Sequence, residues 1–543
     1  VAERRPREIV DEHEASIGAE ERRSRGAHYT PEDLAGRIVE HGFSALGRTP
    51  ARVCDPSCGA GSVLLAAADR LSSEGLAPRE VIEDRLVGFD IDSSAVRAAR
   101  CALEEWAKLH GAAGVRPVVH RADSLEFPRI PTGADVDLVC GNPPFLGQLR
   151  RRTLLDGDLR ARVSARWPQI GAYTDAAALH LLAALDLVAP GGVVALLQPR
   201  SVLGSRDAAP IREAVATRGA LKALWAASDA QFSGTSVGVC LPVIRLDVDD
   251  DGCASTGAGS IPARVELTMG DASAIVVAAP SPPSDWAALL ARLEGVPAVA
   301  PTVETVPLGE LVDATAGFRD EFYELAGVAV EGPDGGYPLV SVGMIDPAEL
   351  RWGHGDRRLG GRRMSAPVVP EELLGPHASG PSAWARRRLV PKVLVATQTR
   401  VLEAVLDVDG RLVPLTPVIS VELAGGEDGS ERGWLLRAIA AALSAPCTTA
   451  LMASRVAGTG LARDVLRPTA RVVESLPIPA RHPDRQVLVE AWLELERRLS
   501  RGRPGTDDWI SFGRRCDAAY GLADEELVEW WWQRHPARRR AAL

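Results

Sequence analysis

The chain has 543 residues, 46% apolar and 25% charged, with eight cysteines and a formal net charge of −10. At ~100–200 residues per domain this length accommodates about three cored domains, and the absence of any run of 18 apolar residues excludes a membrane-spanning helix. The cysteines are too sparse for a disulfide scaffold and the charged N-terminus lacks a secretory core, so an intracellular, reduced, cytoplasmic protein is expected, and the acidic balance at first argues against nucleic acid.

Residues 1–25 read as a polar helical tail or a disordered arm. From Arg52 an alternating pattern begins. Arg52–Cys54 is a short strand candidate running into Asp55-Pro56-Ser57-Cys58-Gly59-Ala60-Gly61, and Ser62–Leu71 follows as a helix. Leu86–Ile91 is a second strand ending in acids, Ala95–Leu109 a helix, Val115–His120 a third strand and Val136–Cys140 a fourth. Ala176–Val188 reads as a helix capped by Asp175, and Val193–Leu197 as a fifth strand after Pro190-Gly191-Gly192. This rhythm predicts an α/β fold with a doubly wound parallel sheet that binds ligands at the carboxyl ends of its strands. The acidic, Gly/Ser-rich run Asp247–Pro262 marks a boundary, and Pro280–Asp285 a second break. From about Val306 to Pro479 short β-branched runs (Pro338–Val342, Lys392–Thr397, Pro417–Val421) suggest a separate mixed domain. Gln486–Arg498 and Ala523–Gln533 read as closing helices.

Two motifs carry chemistry. In the first, Gly59 and Gly61 let the backbone approach a ligand where a helix N-terminus presents free N–H groups. A Gly-x-Gly loop alone is a weak signal, but the second strand ends in Asp90, where a carboxylate can accept two ribose hydroxyls. The third ends at Asp123-Ser124, placed to accept from an adenine amino group. The order fits a nucleoside-bearing cofactor, without the Gly-Lys-Ser/Thr of a Walker phosphate loop. The second motif is Asn142-Pro143-Pro144-Phe145 at the end of the fourth strand. Its prolines remove two donors and fix the backbone, so the Asn142 amide and the Pro143 carbonyl form a rigid acceptor pair. An amino group donating to both is drawn toward a tetrahedral, more nucleophilic geometry, and Phe145 offers a stacking face.

These pieces resemble the amino-methylating DNA methyltransferases, specifically adenine-N6 enzymes with the cofactor motif first and a C-terminal target-recognition domain. Gly26-Ala27-His28-Tyr29-Thr30-Pro31 resembles the N-terminal motif whose Thr contacts the methionine part of S-adenosylmethionine. Asp55 to Gly61 resembles the cofactor loop, with Ser57, Gly59 and Gly61 in it, Asp90 the ribose acid, and Asp123 with Ser124 the adenine site. Asn142 to Phe145 is similar to the catalytic tetrapeptide, with Phe145 where Tyr is commoner and Cys140-Gly141 where a bulkier pair is frequent. Pro190 to Arg200 resembles the following strand, and Gln231-Phe232-Ser233 the motif whose Phe packs on the extruded base. Weaker similarity continues at Leu476-Pro477-Ile478-Pro479 and Ala519-Tyr520-Gly521-Leu522. The resemblance implies a Rossmann-like S-adenosylmethionine-dependent methyltransferase domain, a mixed α/β recognition domain and C-terminal helices. It implies transfer of methyl to N6 of an adenine flipped out of duplex DNA, in restriction-modification or phage defence, with no metal. Asn142 and Pro143 would polarise the base, Pro144 would hold the frame, and Phe145 and Phe232 would stack on it.

The expected division is a tail (1–25), a catalytic domain (26–255), a linker (256–300), a recognition domain (301–480) and a helical segment (481–543). Whole-chain charge hides a local excess. Residues 351–400 sum to +7, whereas 301–350 sum to −9. An Arg-rich run alone could be a solvated loop; beside the catalytic motifs, DNA contact by Arg357, Arg358, Arg362, Arg363, Arg386, Arg387, Arg388 and Lys392 is favoured. Cys54 and Cys58 lack partners for a zinc site, and Cys140 reads as a small core residue. Trp530-Trp531-Trp532 cannot all face one side of a helix, so packing on the recognition domain is favoured over a partner surface. No acid precedes any of the three lysines by two residues, so no nuclease site of that type is expected; a separate restriction or defence subunit would be the partner. Two other readings remain open: a methyltransferase of RNA or protein glutamine, and a DNA-binding defence subunit without turnover.

Overall fold

The computed structural model describes residues 5–18, 30–126, 136–145, 157–171, 174–229, 231, 237–247, 264–317, 319–332, 335–425, 429–459 and 465–541. They fall into two units, Val1–Leu293 and Glu294–Leu543.

Apolar runs too short and too β-branched for helices build the first sheet. In chain order the first unit holds α1 (Pro6–Ser16), α2 (Glu32–Leu46), β1 (Val53–Asp55), α3 (Ser62–Ser73), β2 (Leu86–Asp90) and α4 (Ser93–Leu109). It continues with β3 (Val119–Arg121), β4 (Val136–Gly141), α5 (Ala176–Leu187), β5 (Val188–Leu196), β6 (Gln198–Pro199), β7 (Gly219–Ala226) and β8 (Val239–Leu246). Then come β9 (Arg264–Met269), β10 (Ile275–Ala278) and α6 (Trp286–Leu293). The strand order is β10-β9-β7-β8-β5-β4-β1-β2-β3, with β6 against β8. β5, β4, β1, β2 and β3 run parallel, whereas β8 is antiparallel between β5 and β7. The chain winds one way from β1 to β3 and the other way from β4, so a crevice opens at the carboxyl ends of β1 and β4.

β1 and β4 are buried along their whole length, as expected of strands covered on both faces. Helix starts are set locally. Asp92 accepts from Ser94 N at 2.8 Å ahead of α4, and Asp175 from Ala177 N at 2.9 Å ahead of α5, each cap contributing about 1 kcal/mol. The apolar stripe Leu34, Ile38, Val39, Phe43 and Leu46 of α2, not anticipated from sequence, packs on β4 and β5. The stretch expected as a linker, 256–300, instead carries β9, β10 and α6 of the first unit, with β9 parallel to β7. Its signal is faint because only Val265 and Leu267 alternate inward.

The second unit is mixed. An antiparallel sheet runs Val312–Ala316, Ile419–Leu423, Lys392–Val395 and Ala404–Asp407, and helix Gly429–Ala442 packs on it. Thr305–Pro307 pairs with Pro477–Pro479, which closes the β part ahead of helices His482–Arg501, Thr506–Ala518 and Glu525–Arg534. Trp530, Trp531 and Trp532 are all buried, because their helix is flanked by Pro446–Val456 and by Thr506–Ala518. His535 sits among Trp509, Trp531 and Trp532 at ring separations of 4.4, 4.5 and 5.4 Å, and burial pushes its pKa down to about 3. No single helix among the described residues is long and apolar enough to cross a membrane.

One nominated DNA contact is corrected here. The Lys392 side chain has no exposed surface; its ammonium pairs with buried Asp407 and donates to Val390 O at 3.2 Å. Asp407 also accepts from Arg411 N at 3.1 Å and Leu412 N at 2.9 Å, so the pair staples a strand to the following turn. Burial lowers the Lys392 pKa, and the Asp407 carboxylate opposes that shift. Lys392→Met should lower the stability of the second unit by about 3–5 kcal/mol, because it strands a buried carboxylate. Urea unfolding would measure this, and adding Asp407→Asn should recover part of the loss.

Candidate functional site

A cavity of about 220 Å³ lies at the carboxyl ends of β1 to β4. β1 delivers Asp55, and the turn after it delivers Ser57 and Gly59. β2 delivers Asp90 and Asp92, the segment after β3 delivers Asp123 and Ser124, and β4 delivers Asn142 and Pro144. Thr30 reaches in from the segment before α2. Eight of the residues nominated from sequence for cofactor and catalysis thus share one wall with Asn142. Gly61 stands behind it, where its φ of +97° opens α3 and an added Cβ would meet Ala99 at 3.3 Å.

The loop is held by carboxylates. Asp55 accepts from Ser57 N at 3.0 Å; Asp90 accepts from Gly59 N at 2.9 Å and from Asp92 N at 2.8 Å. Cys58 N donates to Phe89 O at 2.8 Å, tying the turn to β2. Each carboxylate still has lone pairs for a ligand. Burial pushes the Asp55 pKa up to about 7, with the Asp90 charge adding to the rise and the Ser57 amide opposing it. Asp90 is also raised, first by burial, against its two backbone bonds. Asp123 accepts from Leu125 N at 3.0 Å.

Gly141 has a geometric reason. A Cβ there would stand 2.5 Å from Asp55 Oδ1, so a side chain and the buried carboxylate cannot coexist. The departure from a bulkier residue at this position therefore fits the Asp55 carboxylate. At the mouth, Asn142 Nδ2 donates to Thr30 Oγ at 3.0 Å, which orients the amide and leaves Oδ1 as its acceptor. Pro143 is buried, and Phe145 packs partly on the first unit's core. Phe232 lies outside the described residues.

Among the lining residues that sequence reasoning did not nominate, four come from helices outside the motifs or from the turn beside them. His13, Glu14 and Ile17 come from α1, and His180 from α5. His180 bonds through Nδ1 to Ala176 O at 2.9 Å, and burial lowers its pKa, so the ring is neutral with Nε2 as acceptor. A lone His in the apolar run of α5 was the available signal. The lining holds Glu14, Asp55, Asp90, Asp92 and Asp123 but no Lys or Arg among the described residues. The Ser57 and Ser124 hydroxyls are buried there without a hydrogen-bond partner among the described residues. Such a wall disfavours phosphates and suits a polar ligand bearing positive charge. A wider groove of about 890 Å³ on this unit lies elsewhere, and its Arg37 and Arg70 are already paired with Asp271 and Glu40.

In the second unit the nominated arginines divide. Arg362 donates to Ala326 O at 2.7 Å and Ala329 O at 2.9 Å, and Arg357 to Gly343 O at 2.9 Å. Arg388 pairs with Glu422 at 3.3 Å and lies over Trp384. Arg358, Arg363, Arg386 and Arg387 remain exposed, and Arg358 stands directly opposite Arg363 in a hairpin. Like charges so placed repel, and an anion between them would relieve that.

Residues 15–257 match the family model described as N-6 DNA Methylase. Over this segment the chain resembles the N-6 DNA methylases. The type IIL restriction-modification enzyme MmeI, solved in complex with DNA, matches with a TM-score of 0.59 and 12% identity, over 99% of this chain and 82% of that one. The DrdV–DNA complex matches with a TM-score of 0.51 and 10% identity, over 90% of this chain and 59% of that one. At these identities the likeness is one of fold. The family match ends before β9, so β9 and β10 extend the sheet, and α6 follows, beyond the matched segment.

Gly141→Ala should destabilise the methylase domain by about 1–3 kcal/mol, because the new methyl must displace the Asp55 carboxylate. A lower urea midpoint would register it, and Asp55→Asn should not rescue, since the amide occupies the same space.

Proposed function

We propose that the protein transfers a methyl group from S-adenosylmethionine to N6 of an adenine flipped out of duplex DNA, within a restriction-modification or defence system. One observation carries the reading. An acidic cavity free of Lys and Arg among the described residues opens onto an Asn-Pro-Pro-Phe acceptor frame at the crevice of a methylase sheet.

The residues fit the cofactor. Asp55 and the buried Ser57 hydroxyl suit a cationic, donor-rich amino-acid end, Asp90 suits ribose hydroxyls, and Asp123 with Ser124 suits the adenine edge. Bound there, S-adenosylmethionine supplies an electrophilic methyl on a sulfonium. The chain's own contribution is positioning. Asn142 Oδ1 and the Pro143 carbonyl accept the two N6 hydrogens, so the nitrogen lone pair turns toward the methyl. Thr30 holds the Asn142 amide in the productive orientation through Nδ2. Phe145 and Phe232 bracket the flipped base. Arg358, Arg363, Arg386 and Arg387 of the second unit supply phosphate contacts, which makes binding salt-dependent. A separate restriction or defence subunit is the partner this reading implies.

With labelled S-adenosylmethionine and genomic DNA, the native protein should label DNA as N6-methyladenine, and Asn142→Ala should lose at least ~100-fold. Label confined to RNA or protein, or DNA labelling that survives Asn142→Ala, overturns the reading. Thr30→Val should lower kcat about 10–100-fold at saturating cofactor, as misorientation of a reacting group does, and steady-state kinetics would measure it.

Asp55 also sets a pH dependence. Its carboxyl is protonated below about 7 and ionised above, and a cationic ligand prefers the ionised form. Cofactor affinity should therefore be highest above pH 7 and fall by up to about tenfold per unit as pH drops below it. Calorimetric titrations at pH 8 and 5.5 would reveal the slope, and Asp55→Asn should flatten it.

A further inference from the structure

We propose that α1 is part of the cofactor site, with His13 and Glu14 as ligand contacts, so that cofactor binding and the docking of α1 are one coupled event. This rests on the reading above, that the cavity holds S-adenosylmethionine.

The faces of α1 divide by helical period. Asp11, Glu12, Ala15 and Ser16 are exposed, whereas Ile9, Val10, His13, Glu14 and Ile17 point inward. That inward stripe changes character along its length. Val10 is 1% exposed and, with Ile9, joins the core of the first unit; one turn later His13, Glu14 and Ile17 line the cavity. Apolar residues at 13 and 14 would have continued the packed stripe. Instead the half-buried His13 and Glu14 line the cavity, where a polar ligand can reach both side chains. His13 shares the wall with Asp90 and is close enough for its charge to lower the Asp90 pKa. An acid and an imidazole thus share this part of the cavity wall.

The helix is also poised for coupling. It has 11 residues, below the ~12–15 at which isolated helices become stable, so packing keeps it formed. Besides Ile9 and Val10, Arg7 helps to anchor it, at 3.4 Å from both Ser62 O and Asp69 Oδ2 and 3.6 Å from Glu32. A ligand that adds contacts at His13 and Glu14 stabilises the docked helix by its own binding free energy. The family match begins at residue 15, so neither residue lies within it.

The test is calorimetric titration of S-adenosylmethionine into the full chain, native and with His13→Ala, Glu14→Ala or the outward control Glu12→Ala. It is paired with hydrogen exchange of residues 5–18 with and without S-adenosylmethionine. At least one inward variant should weaken binding about tenfold, Glu12→Ala should change it less than twofold, and apo melting temperatures should stay level. Exchange across α1 should slow on adding the cofactor. The proposal fails if both inward variants bind within twofold of the native protein, or if exchange in α1 ignores the cofactor. No binding by the native protein would instead bring down the underlying reading as well.

Discussion

Burying the Asp55 carboxylate at the end of the central strand β1 sets conditions that the rest of the methylase domain meets. The carboxylate loses solvation, which raises its pKa to about 7, and it recovers only one backbone amide in return. It also takes the volume of a side chain at the end of β4, so position 141 is glycine. Asp90, on the neighbouring strand two residues beyond Gly88, the partner of Asp55, binds the turn through Gly59 N and adds a second negative charge. Without a Lys or Arg in the lining among the described residues, the site suits a ligand that carries positive charge. Glycine placement and ligand preference both follow from that burial.

Charge in this protein is meaningful only locally. The −10 total coexists with an acidic cavity in one unit and a +7 window in the other. Even the +7 is divided once the chain folds. Lys392 is spent on Asp407 inside the second unit, Arg362 on helix-terminal carbonyls, and Arg388 on Glu422 and Trp384. The exposed remainder is four arginines, two of them facing each other across a hairpin. A nucleic-acid partner needs only such a patch, not a basic chain.

Much of the site was legible because its residues occupy strand ends, where sequence order and position in the sheet are tied together. The apolar run into Asp55, the acids at Asp90 and Asp123, and Asn142-Pro143-Pro144 each follow a strand, and parallel winding brings all four ends to one side. Thr30 was nominated toward the cofactor; that it also accepts a bond from Asn142 spans 112 positions and needs coordinates. A helical tail was one of two readings for α1, but its place on the cavity escaped because a stripe of two apolar residues in a charged segment resembles a solvated tail. β9 escaped because a strand with two inward residues has almost no period.

The sequence by itself determined the order of strands and turns, the placement of acids and the Asn-Pro-Pro-Phe frame at strand ends, and the separate texture of the second unit. These are local facts, set by apolar period, glycine and proline. Only the tertiary structure decided which charges are free to act. Burial turned Lys392 from a surface candidate into a structural partner of Asp407, brought His13, Glu14 and His180 to the cavity, and gave Gly141 its reason. Solvation and partner distance fix the behaviour of a charged group, and both belong to the folded chain.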